Sequence, residues 1–258
     1  MSVLRIVVLA ALALALAAPA SAQRRQSAEE REYSQFNVPY DGRFAFVRLR
    51  FEPLPGFGGG GGFFRGRDLK WDHDYPRAER HLATILSELT VLEPYMGGSN
   101  ILAVDDPELT KYPIAYMAEP GFWTLTEREA TALRNYLLKG GFLIFDDFAG
   151  NQWFNFEQQL RRVLPDARLV PLEVSHPIFH SFFDIQSIDH VHPYYGMPSQ
   201  YLGVFEDNDP EKRLLAIVNY NNDIGEYWEW SDTGFLPIDL SNEAYKLGVN
   251  YVVYAMTH

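Results

Sequence analysis

The sequence predicts a single α/β domain with a mainly parallel sheet and helices on both faces. Two observations carry this prediction. Strand-like segments alternate with segments of helical periodicity between residues 43 and 163, which is typical of parallel strands joined by helices. The run at 142–145 (FLIF) is short and apolar throughout, so it suits a strand that is buried on both faces.

The first predicted strand lies at 43–51, where apolar and basic residues alternate. This alternation predicts that the phenylalanines face the core, while Arg48 and Arg50 face solvent. The glycine-rich run at 56–62 comes next. Because no Gly-Lys-Ser/Thr follows it, we expect a flexible flap and not a phosphate-binding loop.

The middle of the chain continues the alternation of strands and helices. Apolar residues recur at helical spacing after Pro76, a residue suited to the start of a helix. Short strands are predicted at 99–105 and 114–117. Thr126 and Glu129 form a capping box, which predicts the start of the helix before the FLIF strand.

The last third of the chain predicts an extension of the sheet. Residues 154–163 have a helical pattern, and a proline interrupts the next strand at 168–172, which favours an edge position. Strands at 201–206 and 214–220 are expected to form an antiparallel pair. A closing helix is predicted at 242–257.

Residues 1–22 have the pattern of a signal peptide, with Arg5 before an apolar run and small residues before the cleavage position. We therefore expect an exported protein, periplasmic or secreted, with a flexible arm at 23–35 and one α/β domain at 36–258. The apolar run at 6–18 is too short to cross a bilayer comfortably, so no membrane span is expected.

Composition excludes several classes of function. The formal net charge of −12 disfavours nucleic-acid partners, because an acidic chain repels phosphate backbones. The absence of cysteine excludes disulfides, thiolate nucleophiles and cysteine-ligated zinc. No Gly-x-Ser-x-Gly elbow is present. Hydrolytic chemistry in this chain would therefore need an acid–base mechanism without a covalent nucleophile.

Asp146 and Asp147 directly follow the FLIF run, and α/β folds bind their ligands at the carboxyl ends of such strands. One of the two carboxylates would then be a general base or a ligand for a hard cation. The alternative is a structural role, with the carboxylate capping the next helix or holding a backbone amide. His176 is the candidate proton carrier, in a loop that closes over this edge.

The candidate ligand-binding residues lie in other predicted loops, where polar groups would bind a ligand and aromatic rings would stack on it. The alternatives are turn-forming roles for the polar residues and core packing for the tryptophans. These candidates are Trp71, Asp74, Tyr75, Glu119, Asn222, Asp223 and Trp228.

No cofactor is identified by a motif, although a divalent cation stays open as an expectation. Asp72, His73 and Asp74 offer donor groups, and His190 and His192 share one face of an extended segment. Neither spacing is a specific metal signature. A helix cap and solvated imidazoles are the structural alternatives.

Taken together, several motifs resemble the bacterial family of unknown function numbered 4159. They are Trp71 with Asp74-Tyr75-Pro76, the strand at 140–147, His176-Pro177, and Asn222-Asp223-Ile224-Gly225 with Trp228. The resemblance implies a flavodoxin-like sheet related to the class I glutamine amidotransferase-like and trehalose-utilisation-like folds. It also implies that Asp146, Asp147 and Phe148 stand where amidotransferases carry their cysteine nucleophile, so amidotransferase chemistry is not expected.

Three functions follow as hypotheses. The first is a binding module for a small polar ligand such as a carbohydrate or a cell-wall fragment. The second is a hydrolase that uses Asp/His acid–base chemistry, assisted by a cation. The third is a scaffold for an envelope protein partner, which would use the glycine-rich flap and the acidic surface.

Overall fold

The computed structural model describes residues 37–57, 68–96 and 99–258. The signal peptide, the arm at 23–35 and most of the glycine-rich flap lie outside the described residues. Nine strands are assigned within the described part, namely β1 Val47–Arg50, β2 Glu52–Pro53, β3 Asn100–Ala103, β4 Ile114–Ala118, β5 Trp123–Thr124, β6 Phe142–Phe148, β7 Leu169–Pro171, β8 Gln200–Phe205 and β9 Leu214–Tyr220. The α-helices there are α1 Arg77–Leu89, α2 Glu127–Leu138, α3 Gln152–Val163, α4 Ile224–Glu229 and α5 Ile238–Thr257.

Seven strands form one sheet in the order β3-β1-β4-β6-β9-β8-β7. The first five in this order are parallel, whereas β8 pairs antiparallel with both β9 and β7. Counted along the chain, the parallel strands follow the flavodoxin-like order 2-1-3-4-5. The mainly parallel α/β prediction is therefore confirmed. The strand order reverses between β1 and β4, and this is where such folds open a ligand crevice.

Helices cover both faces of the sheet, and the central strand β6 is buried along its whole length. Phe142 on one face packs against Tyr254 of α5, with ring centroids 6.3 Å apart. Phe145 on the other face meets Phe156 of α3 and Trp123, at 5.1 and 5.4 Å. The described sheet is thus covered by helices on both faces, and such folds bind their ligands at the carboxyl ends of the strands.

Several local predictions are confirmed. Thr126 and Glu129 form both hydrogen bonds of the capping box at the start of α2. The proline-containing strand β7 lies at the edge of the sheet.

No helix in the part of the chain that the structure describes is long and apolar enough to cross a membrane.

The prediction that Arg48 faces solvent is wrong, since its side chain is fully buried. Arg48 pairs with Glu79 of α1, donates to the carbonyl of Trp71 at 2.9 Å, and lies over the Tyr116 ring at 5.0 Å. The alternation of apolar and basic residues in the first strand suggested that one of its faces is exposed to solvent. Because β1 has a strand on each side and a helix above it, the basic residue is enclosed with its own counter-ion.

Candidate functional site

Four of the segments that carry predicted site residues meet at the carboxyl edge of the parallel strands. Asp74 lies just before α1, Glu119 follows β4, Asp147 lies near the end of β6, and Asp223 is the N-cap of α4 after β9. Parallel strands deliver their carboxyl ends to one edge, which explains why residues far apart in the sequence come together.

A β-bulge decides the roles of the two consecutive aspartates. Phe145 pairs with Val218 and Phe148 with Tyr220, so both aspartates oppose a single residue of β9. Asp147 takes up the extra residue with a φ of 60°. Bulges of this kind redirect side chains beside functional sites. Here the bulge separates the environments of the two carboxylates.

Asp146 is enclosed in hydrogen bonds. Its Oδ2 accepts from the Tyr116 hydroxyl at 2.9 Å and from the Gly225 amide at 3.0 Å, and its Oδ1 accepts from Asn219 at 3.1 Å. Burial, with the charge of Asp147 beside it, raises the pKa of Asp146 to about 7. With no exposed surface and both oxygens occupied, Asp146 holds β6, β9 and α4 together.

Asp74, Asp147 and Asp223 form what we call the deep cluster, with one carboxylate oxygen of each within 4.8 Å of the others. Asp147 Oδ1 accepts from the Tyr195 hydroxyl at 2.8 Å. The Oδ2 atoms of Asp74 and Asp147 are buried and have no hydrogen-bond partner. Burial and the neighbouring charge of Asp147 raise the pKa of Asp74 and of Asp223 well above the usual carboxyl range.

The rim cluster lies beside it and consists of Asp68, Lys70, His73 and Glu119. Lys70 Nζ is 2.7 Å from Asp68 and 3.3 Å from Glu119. His73 Nδ1 is 3.1 Å from Glu119 Oε1 and 3.7 Å from Asp147 Oδ2. Burial alone would lower the pKa of His73, but the hydrogen bond and charge of Glu119, with Asp147 and Asp74, raise it to about 10. His73 is therefore an imidazolium that joins the two clusters.

His192 borders the deep cluster from the other side. It is 1% exposed, and neither of its ring nitrogens has a hydrogen-bond partner. Its Nε2 lies 3.7 Å from Glu226 Oε2, and both residues have a ligand atom within 4.8 Å of one on Asp223. Burial lowers the pKa of His192 to about 4, and burial together with Asp147 raises that of Glu226 to about 7. The imidazole is thus neutral at pH 7.

The backbone is constrained around these side chains. Five of the seven described non-glycine residues with positive φ belong to this edge: Lys70, Asp74, Glu119, Asp147 and Asn221. Such conformations cluster at functional sites, where the surrounding structure maintains them. Gly225 serves the same edge, because a Cβ there would lie 2.6 Å from Asp74 Oδ2 and 2.6 Å from the Tyr116 hydroxyl.

The structure does not bring every candidate to this site. His176 packs on Phe205 and Tyr254, each 5.9 Å away between ring centroids, toward the amino end of the parallel strands. Trp228 is fully buried and its indole N–H donates to the carbonyl of Ala244 at 3.0 Å, so neither ring face is open to a ligand.

The remaining candidates are Trp71, Tyr75 and Asn222. Trp71 is buried, with its carbonyl bound by Arg48. Tyr75 is partly exposed at the start of α1. Asn222 is buried and donates to the Tyr201 hydroxyl at 3.0 Å, while its carbonyl accepts from the Asp147 amide at 3.1 Å. Asn222 therefore fixes the bulge.

Sequence reasoning did not select Lys70, Tyr195 or Glu226 as site residues. A signal existed only for Glu226, which follows Asp223 by three residues; Asp223 Oδ1 accepts from the Glu226 amide at 2.8 Å. This is the spacing of an N-cap, which places both carboxylates on the first turn of α4. Lys70 and Tyr195 lie in loops whose paths depend on tertiary contacts.

Residues 60–256 match the family model described as "Domain of unknown function (DUF4159)". The chain belongs to this family. The motifs that suggested DUF4159 membership include Asp74, Asp147 and Asp223, so the deep cluster lies within the matched region. No curated protein matches the sequence.

Proposed function

We propose that this DUF4159 protein is an exported hydrolase that acts on a small polar substrate through carboxylate and imidazole acid–base chemistry. The observation that carries the proposal is the position of His73 between Glu119 and Asp147, at 3.1 and 3.7 Å. A proton donor and a proton acceptor are thereby held side by side at the open edge of the sheet.

The roles follow from the contacts. Asp147 Oδ2 has no hydrogen-bond partner, so it is free to accept a proton from an attacking water. The His73 imidazolium is the group that would give a proton to the leaving group. Water is the attacking nucleophile in this proposal, with Asp147 as its base.

The geometry favours hydrolysis over a binding module. Binding was expected to use aromatic stacking, but Trp71 and Trp228 are 5% and 0% exposed. The polar groups at this edge are instead carboxylates, the Tyr195 hydroxyl and the His73 imidazolium, whose side chain is 39% exposed. Hydroxyl-rich substrates such as carbohydrates and cell-wall fragments offer the donors that carboxylates bind.

The test uses purified protein beginning at Gln23, assayed by mass spectrometry against glycosides, esters, amides and cell-wall fragments. We expect Asp147→Asn to reduce turnover by about 100-fold or more, with a comparable loss in His73→Gln. Asp166→Asn, a change at an exposed aspartate outside the site, should retain full turnover.

Two results would contradict the proposal. A ligand that raises the melting temperature without being cleaved would point to a binding module. Turnover that both site variants retain would place the chemistry elsewhere. Export is tested separately, by sequencing the amino terminus of the protein recovered from outside the cytoplasm, which is expected to start at Gln23.

A further inference from the structure

The deep cluster concentrates three carboxylates around a single neighbouring counter-charge, His73. Its three carboxylates each offer an oxygen within 4.8 Å of the other two. Among the residues that the structure describes, no lysine or arginine forms an ion pair with any of them. His73 lies 3.7 Å from Asp147, and Arg48, which is already paired with Glu79, attracts Asp74 only at longer range. Buried carboxylates in such proximity repel one another unless protons or a cation neutralise them.

A second observation points to a ligand at the same place. Asp147 is 5% exposed, yet its Oδ2 has no hydrogen-bond partner, and the buried Oδ2 of Asp74 has none either. His192, 1% exposed, adds two ring nitrogens without a partner on the far side of Asp223. Buried polar atoms are normally paired, so unpaired atoms in both groups of side chains that share Asp223 call for a missing partner.

We propose that Asp74, Asp147 and Asp223 bind a hard divalent cation, with His192 and Glu226 completing the donor set around Asp223. Carboxylate oxygens are the ligands that Mg²⁺, Mn²⁺ and Ca²⁺ prefer. An imidazole nitrogen among them favours Mn²⁺ over the other two. Mn²⁺ is accordingly the probe with the best match to the full donor set.

The fold keeps these donors in place. The three aspartates come from separate segments, before α1, at the bulge of β6 and before α4, so only the folded chain brings them together. Gly225 leaves room for Asp74 Oδ2, which a side chain at that position would displace. A cation bound here would link the three segments and stabilise the native state.

The inference goes beyond the proposed function and changes one role in it. With a cation bound, Asp147 would hold the ion, and the cation would polarise the attacking water in place of a carboxylate base. Cation binding is measured without any substrate, so a failure of this inference leaves the acid–base proposal open to its own test. A lack of turnover, in turn, leaves the binding measurement valid.

The experiment titrates chelator-treated protein with Mn²⁺, following free Mn²⁺ by electron paramagnetic resonance and binding heat by calorimetry. We expect saturable binding of about one ion per chain, competed by Mg²⁺ and Ca²⁺. Asp147→Asn and Asp74→Asn should each weaken binding by about 100-fold or more. Asp166→Asn should bind Mn²⁺ like the unmodified protein.

Both site variants are expected to fold, because asparagine tolerates the positive φ that Asp74 and Asp147 adopt. Circular dichroism in the presence of chelator checks this. His192→Gln should weaken binding by about 10-fold, and an unchanged affinity would remove His192 from the donor set. No saturable Mn²⁺ binding, or binding that both aspartate variants leave unchanged, would overturn the site itself.

Discussion

The rim cluster and the deep cluster are two neighbouring groups of charged side chains that differ in charge balance. In the rim cluster, Lys70 lies between Asp68 and Glu119, and a protonated His73 contacts both carboxylates. In the deep cluster, the structure shows no ion pair with lysine or arginine within the described residues. The chain therefore places two cations within the more exposed group, whereas the three carboxylates of the more buried group have only the His73 contact at 3.7 Å.

Electrostatics alone would favour the reverse arrangement, because an uncompensated charge costs more free energy in a buried site than in an exposed one. The same fold buries Arg48 and gives it Glu79 as a partner. Internal pairing is therefore used in this fold where a charge is enclosed. The buried carboxylates of the deep cluster lack a counter-ion of the kind that Arg48 has in Glu79. We therefore expect their counter-ion to be a bound cation.

The largest expected effect tests whether unpaired buried charge is costly in this protein. Glu79→Gln leaves the Arg48 guanidinium buried without its counter-ion, so we expect a loss of about 3–5 kcal/mol in the free energy of unfolding. Urea denaturation measures it. Glu157→Gln, which breaks the exposed pair with Arg161, should cost no more than about 0.5 kcal/mol. Equal losses in the two variants would remove the basis of the comparison.

The next effect is the pH dependence of cation-free protein. A carboxyl with a raised pKa in the folded state binds more protons folded than unfolded, so its stabilisation is present at low pH and lost as pH rises through the folded value. Asp146 and Glu226 have pKa values of about 7, and those of Asp74 and Asp223 are also raised. The raised pKa of His73 acts in the same direction, whereas the lowered pKa of His192 opposes it.

We therefore expect chelator-treated protein to be less stable at pH 8 than at pH 5 by roughly 3 kcal/mol, given about 1.4 kcal/mol for each unit of pKa shift. Urea denaturation at both pH values measures the difference. Saturating Mn²⁺ should abolish most of it, because the cation replaces the protons. A stability that rises from pH 5 to pH 8 would show that the deep cluster is already neutralised within the chain.

A matched pair of substitutions tests the two clusters directly. Asp147→Asn relieves repulsion in the deep cluster and keeps an oxygen for the Tyr195 hydroxyl, so chelator-treated protein at pH 8 should gain about 1 kcal/mol. Glu119→Gln removes a counter-charge from Lys70 and His73, so it should lose about 1 kcal/mol. Thermal and urea unfolding report both. Changes of the same sign in the two variants would contradict the assignment.

The sequence predicted much of the fold, and it predicted that the site residues lie close together, because both depend on local features and on the common edge of parallel strands. Strands such as β6 and caps such as Thr126 are local features, and parallel strands necessarily share a carboxyl edge. The separate roles of Asp146 and Asp147 depend on a bulge against β9, which is a matter of register between distant strands. Alternation alone could not show that Arg48 is enclosed.

His176 shows the limit for loops. Its loop starts from the edge strand β7, and its ring packs on Tyr254, which in turn packs on Phe142 at the start of β6. The sequence does not show which end of the sheet such a loop covers, because this depends on the aromatic side chains against which the loop packs. The same holds for Lys70, whose ammonium lies 4.5 Å from the centre of the Phe122 ring.

The smallest expected effect defines the outer boundary of the site. Asp68 is 43% exposed in its side chain, and Glu119 still contacts both Lys70 and His73 when Asp68 is neutralised. Asp68→Asn should therefore change the free energy of unfolding by less than about 0.5 kcal/mol, with any difference screened at high salt. Its Mn²⁺ affinity should match that of the unmodified protein, because Lys70 occupies the position that a cation would need in the rim cluster. A clear loss of Mn²⁺ affinity would instead mean that the rim and deep clusters bind the ion as one unit, and their contrast in charge balance would no longer locate the cation.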